Sequence, residues 1–328
     1  MKRNFFTRWI FGAVTIAFIA GGGLLGSAQA QTATATTSAV SAASPTPDGS
    51  SAGPEAILYD GNGHIWIANQ FSNSVSEIQT SNGAMVGTFK VDNRPVGLAV
   101  DGKGNIWVAN LLSDTLTQLN GGTGAVLATV SVPGGPGHLM FDGKNIWVAC
   151  RNNNTVVKVA ANTGSVLGRF ATGQRPMGMA FDGAHIWVAN NQNNSVTKLG
   201  TDGTNLGTFA VGKGPFGVAF DGASIWVSNF FSQSLTKLRT SDGFVLGTFP
   251  VGDGAAGLTF GGASLWVANN GSNTVMKVSP ATGAVLATYS TGRGPFAVAF
   301  DGTYFWVSDF ASGTVSTSKP STLLASPQ

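Results

Sequence analysis

Residues 176–214 read PMGMAFDGAHIWVANNQNNSVTKLGTDGTNLGTFAVGKG. Four short apolar runs stand in this stretch: MGMAF (177–181), HIWVAN (185–190), SVTKL (195–199) and LGTFAV (206–211). DGA, NQNN and GTDGTN separate them, and GKGP leads onward. Runs of this length, rich in Val, Ile, Phe and Thr and bounded by Gly, Asn and Asp, are strands. None is long enough for a helix of usual length.

The same pattern returns along the chain. Trp stands at 66, 107, 147, 187, 226, 266 and 306, at spacings of 39 to 41 residues, inside HIWIAN, NIWVAN, NIWVAC, HIWVAN, SIWVSN, SLWVAN and YFWVSD. Four antiparallel strands in about 40 residues, repeated around a ring, are the signature of a β-propeller. One such sheet cannot bury both faces alone; a closed ring of them can, and closure protects the edges. The expected fold is therefore all-β, a seven-bladed β-propeller of four-stranded antiparallel blades over residues 54–328. Each Trp falls on the second strand of its blade, where packing between blades accounts for it. Burying one removes roughly 150–250 Å² from water, at most about 4–6 kcal/mol.

The text WVANNQNNSVTKL, followed by GTFAVGKGPFGVAFDG, resembles the YVTN-type propeller repeat, close to the NHL and virginiamycin B lyase-like propellers. Trp stands where that repeat has Tyr, and Ala or Ser where it has Thr. The resemblance spans about residues 54–326. It implies the fold; these propellers include enzymes, binders and surface proteins, so it does not choose among them.

The N-terminus reads differently. Lys2, Arg3 and Arg8 precede an apolar run from Trp9 to Leu25, and AQA at 28–30 is a small-residue cleavage signal. Residues 1–30 are expected to be a secretory signal peptide, with export to the periplasm or beyond. An uncleaved anchor is the alternative, although the run falls short of the roughly 20 residues of a membrane span. Residues 31–53, rich in Ala, Ser, Thr and Pro, read as a flexible linker. The leader holds three of the 18 Lys+Arg, so 15 remain against 15 Asp+Glu. No net field is left to attract nucleic acid or an anionic membrane. Cys150 is the single cysteine, so no internal disulfide is expected and stability must come from packing. A monomer is expected.

Strand alternation places the loops. With strands a to d counted outward from the axis, the a–b and c–d turns share the bottom face and the b–c and d–a loops share the top. Asp-Gly pairs such as Asp101-Gly102 are then bottom hairpins, with Asp as turn former rather than calcium ligand. The d–a loops carry Glu55, Arg94, Arg175, Lys213, Asp253 and Arg293 toward the axis, with Met177, Phe216 and Phe296. With His138 they form a candidate pocket for a small anionic or amphipathic ligand, set against the plainer reading of solvated loop charges. The b–c loops are polar in three units (RNNN, NQNN, NGSN) and carry Phe71, Leu111, Leu112, Phe230, Phe231 and Phe310 elsewhere. These either pack back on their own blades or form a docking surface for a protein or sugar.

One unit departs from the rest. His138 stands where the others have Gly or Ala, Met140 mostly where they have Ala, and Cys150 where five have Asn. Folding the hairpin brings Cys150 opposite residue 137 or 138, with Arg151 next in sequence. His, Met and Cys are a copper-type donor set, and a Cys beside His and Arg could be a reactive thiol. Drift inside one repeat is the competing reading.

Two functions follow. The first is an exported, non-catalytic binding propeller that recognises a small ligand, glycan or protein on its top face, with no cofactor expected apart from a copper-type ion at His138, Met140 and Cys150. The second, implied by the resemblance to virginiamycin B lyase-like chains, is a metal-assisted propeller lyase or hydrolase with His and Glu at the top of the channel. Against it, the chain has three His and two Glu, and Glu77 lies on a third strand away from the axis. Closure of the ring is expected to use residues 321–326 (STLLAS) as the outer strand of blade seven, the alternative being residues 35–40.

Overall fold

The computed structural model describes residues 40–43 and 53–320. The expected signal peptide and all of the expected linker except residues 40–43 and residue 53 lie outside them. The described residues form seven four-stranded antiparallel sheets and no helix. In blade four the strands are Pro176–Phe181, His185–Asn190, Ser195–Gly200 and Asn205–Ala210. The seven-bladed propeller expected from the Trp spacing is the fold.

Each Trp packs against the next blade. Trp107 lies with Ile146, Val148 and Cys150, Trp147 with Ile186 and Val188, and Trp306 with Ile65 and Ile67 across the ring closure. All seven are 3% exposed or less. The bottom turns contribute more than their sequence suggested. In six blades the turn Asp accepts a hydrogen bond from the indole Nε1, from 2.7 Å at Asp142–Trp147 to 3.5 Å at Asp60–Trp66. Blade six has Gly261 there, and Trp266 Nε1 donates to its carbonyl at 3.1 Å. A buried donor left unmet would cost about 1–3 kcal/mol, so these Asp residues are part of the core.

On the top face, blades are sewn to one another. The residue before each third strand is left-handed, and in five blades its side chain accepts from the next d–a loop, as Asn73 Oδ1 does from Arg94 N and Asn154 Oδ1 from Arg175 N, both at 2.9 Å, whereas Gln233 donates to Asp253. Asn at the end of strand b bonds strand c, as Asn190 does to Ser195 and Thr197.

Closure differs from the sequence expectation. Val40–Ala43 is the outer strand of blade seven, antiparallel to Thr314–Ser318. The ring is therefore closed by a strand from the N-terminal side of the repeats, which shares one sheet with the three strands of the last repeat. Residues 321–326, expected in that place, lie outside the described residues. The two segments have similar β-propensity in sequence, and alternation alone could not rank them.

Candidate functional site

Seven first strands meet at the axis, and their third residues decide how closely. A Cβ on Gly97 would lie 2.1 Å from Gly137 O, and one on Gly178 would lie 2.4 Å from Phe216 O. Gly or Ala in this column lets neighbouring backbones touch. His138 is the exception. Its ring lies in the channel, edge-on to Phe216 of blade five at 5.4 Å. The channel is a cavity of about 350 Å³ lined from all seven blades, Glu55, His138, Phe216 and Phe296 included.

The mouth of this channel has two unlike sides. Blades five to seven bring aromatics: Phe216 meets Phe296 at 5.1 Å and Phe230 at 6.4 Å, and Phe310 links Phe296 to Phe71. Met177, Phe216 and Ala256 form a buried cluster against which Phe230 and Phe296 pack. Blades one to four bring charge. Glu55 is buried and forms an ion pair with Arg151, Oε1 to Nη2 at 3.7 Å. Burial raises the Glu55 pKa, opposed by Arg151 and Arg94. Burial lowers that of Arg94, with Glu55 opposing and Arg151 adding to the shift, and Arg175 is lowered by burial and Arg151. Arg94 Nε donates to Gln70 Oε1. Arg151 is thus the electrostatic centre of a cluster drawn from blades one to four. Burial, then Arg151, pushes His138 down to about 3, so its imidazole is neutral.

Backbone geometry singles out two members of this cluster. The last residue before strand a is left-handed in every unit: Gly53, Gly135, Gly214, Gly254 and Gly294 in five, but Arg94 at φ 63° and Arg175 at φ 55° in the other two. A side chain in this conformation costs about 1–3 kcal/mol, and such strain concentrates at functional sites. Arg94 and Arg175 flank blade three, which carries Arg151.

The expected ligand set is therefore revised. Lys213, Asp253 and Arg293 occupy the position one residue earlier in their loops and are exposed. They stand on the rim and do not converge with Arg94 and Arg175. Glu55, His138, Phe216 and Phe296 line the channel, and Arg94 and Arg175, half-buried, stand within electrostatic reach of Arg151. Arg151 was missing from the set although it was visible beside Cys150. The usable signal was the column before strand a, where Arg replaces Gly twice. Among the b–c loop residues, Phe71 and Phe231 pack onto Gly53 and Gly214 of their own blades, although each remains more than half exposed.

The His138, Met140 and Cys150 set does not assemble. Pro136, not residue 137 or 138, pairs with Cys150, because the register shifts between Pro136 and Leu139. Cys150 then faces blade two among Ala109, Leu116 and Val132, Met140 faces blade four beside Trp147 and Met179, and His138 faces the axis. Burial pushes the Cys150 thiol up to about 12, so it is protonated and not a poised nucleophile. Its place in the repeat has a packing explanation. Val157 stands where blade four has Thr197, and the Asn–Thr bond becomes a Cys150–Val157 apolar contact.

Together the fold and the mouth define a seven-bladed propeller with an amphipathic channel entrance. Its fold is similar to solved propellers at low sequence identity. Virginiamycin B lyase from Staphylococcus aureus superposes with a TM-score of 0.73 at 17% identity, over 83% of this chain and 97% of that one. A streptogramin B lyase gives 0.71 at 18%, covering 81% and 93%, and a Kuenenia stuttgartiensis hydrazine synthase chain gives 0.72 at 17%, covering 82% and 96%. No family model and no curated protein sequence matches.

Proposed function

We propose that this protein is an exported binding propeller that takes a small amphipathic ligand into the top mouth of its channel. The observation that carries the reading is the pair of left-handed arginines, Arg94 and Arg175, at positions that are Gly in the other five units. A scaffold needs no side chain there, and strain is retained where it serves a site. Size supports a small molecule: about 350 Å³ lies at the low end of ligand pockets. Binding is favoured over acid–base chemistry because His138, held near 3, is a weak base at neutral pH. Export rests on the basic, apolar and AQA segments of residues 1–30.

A thermal-shift screen of the protein against small organic anions, neutral glycans and cell-wall fragments tests the ligand reading. Organic anions should raise the melting temperature by mass action, and Arg151→Gln should remove the rise. A rise with glycans alone, indifferent to Arg151, contradicts it. Export is checked by fractionation and N-terminal sequencing in the native cell: a chain beginning at Gln31 outside the cytoplasm is expected, and a cytoplasmic chain retaining Met1 refutes it.

A further inference from the structure

Arg151 carries more information than its charge. Its side chain is 12% exposed, and Nε and Nη2 are both shut off from solvent without a hydrogen bond among the described residues. These two nitrogens form one edge of the guanidinium, the edge that grips a carboxylate with two parallel bonds. Glu55 does not fill it, since its oxygen stands 3.7 Å from Nη2, beyond hydrogen-bond length. Two buried donors of a cation left unmet are costly and are exceptions in native proteins.

Blade three is shaped around this group. Gly137 occupies the second position of strand a, where the other blades have Glu55, Val96, Met177, Phe216, Ala256 and Phe296. A Cβ there would lie 3.0 Å from both Nε and Nη2, so only glycine leaves the edge clear of a side chain. His138 Nε2, in the neighbouring position, is likewise buried and without a hydrogen bond. Across the channel the His138 ring touches Phe216, which leads to Phe296 and Phe230. Arg151 is paired with Glu55, which lines one side of the channel with His138, and aromatic rings line the other side, so a ligand with matching ends suits the mouth.

We infer that the ligand is a small organic carboxylate bearing an aromatic or branched apolar body, its carboxylate held by the Nε–Nη2 edge of Arg151 and its body against Phe216 and Phe296. The inference rests on the proposed mouth site and names its ligand class. A guanidinium is required because lysine, a point charge, cannot make the paired bonds. Arg94 and Arg175 hold the field positive around the head group, offsetting Glu55. Tetrahedral anions lack the planar match, so inorganic phosphate should compete poorly.

Isothermal titration with matched probes tests this. A series from phenylacetate through 3-phenylpropionate to indole-3-butyrate is compared, each acid against its own primary amide, with inorganic phosphate as a further competitor. At least one acid should bind, its amide about tenfold or more weaker, and Arg151→Lys should bring the acid down to the level of the amide. Phe216→Leu should weaken acid and amide alike. Circular dichroism and melting curves of Arg151→Lys should match the parent, so that lost binding is not lost folding. Equal affinity for acid and amide overturns the carboxylate assignment and leaves the mouth site standing. Binding of any probe that ignores both Arg151→Lys and Phe216→Leu, or no binding across the series, overturns the mouth site as well. Phosphate binding as tightly as the best acid also overturns the assignment.

Discussion

Blades three and four are neighbours built from one repeat, yet they are used differently. Apart from Arg175 at its entry, blade four follows the pattern: Met177 and Gly178 on the inner strand, Asn190 bonded to Ser195 and Thr197, and Asn191 reaching Pro215 O at 3.2 Å. Blade three has Gly137, His138, Cys150, Arg151 and Val157 at the corresponding places. Outer parts of the two blades superimpose in role: Trp147 and Trp187 both bond the turn Asp, at 2.7 and 2.8 Å, and Lys158 and Lys198 both lie over those rings. The differences crowd toward the axis and the top. In a ring whose sheets touch only their neighbours, one blade can change its inner end while the strands of its flanks keep the common pattern.

The comparison can be broken most forcefully at the shared part. Trp147→Ala and Trp187→Ala should each cost about 3–5 kcal/mol in urea unfolding, and by similar amounts. A much smaller loss in blade three would mean that its changes reach the scaffold.

The substituted pair in blade three should behave as a unit. Cys150→Asn alone buries an amide facing Val157 and should cost about 1–3 kcal/mol. Adding Val157→Thr should recover about 1–2 kcal/mol of it, as a coupling in a double-mutant cycle. Additive losses would show that the Asn–Thr bond of blade four is not what Cys150 and Val157 replace. Native Cys150 should also resist thiol reagents until the protein is unfolded, as its burial and its pKa near 12 require.

His138 gives a pH signature that blade four lacks. Its folded-state pKa of about 3 lies below the ordinary 6.5, so between those values the unfolded chain takes up a proton that the folded chain refuses. The contribution is fully present above 6.5 and is lost as pH falls toward 3, at up to about 1.4 kcal/mol per unit. His138→Ala, which adopts the residue found at Ala56 and Ala297, should therefore gain on the parent protein as pH drops from 7 to 4, read as a shift in urea midpoints. A constant difference across that range would place the imidazole in a more solvated setting than the channel.

Asp309, the counterpart of Asn190 in blade seven, supplies the reverse sign. It is fully buried, and burial raises its pKa to about 6 against the hydrogen bonds from Ser316 and Gly292. The folded chain then holds a proton that the unfolded chain has lost between pH 3.8 and about 6, and stability falls as pH rises through that window. Asp309→Asn should add about 1–3 kcal/mol at pH 7 and progressively less below pH 6.

Much of this was legible from the letters. Indole spacing fixed the blade count, and alternation assigned the top and bottom loops. Register at the axis was not legible. The shift between Pro136 and Leu139 moved Cys150 off His138, and a bulge leaves no mark in a run of apolar residues. The loop charges form one group by their shared d–a loops, but one step separates Arg94 and Arg175 from Lys213 and Arg293, and that step decides between half-buried and exposed. The origin of the closing strand was undecidable by propensity, since residues 40–43 and 321–326 are equally plain.

The central claim is that blades two and four hold strained arginines for a ligand and not for the fold. Arg94→Gly with Arg175→Gly tests it most directly, by urea unfolding and by titration with 3-phenylpropionate of the same samples. The account predicts a stability unchanged or higher by about 1 kcal/mol, as strain is released, together with weaker binding. A lower urea midpoint with undiminished affinity would contradict it and return both side chains to the scaffold.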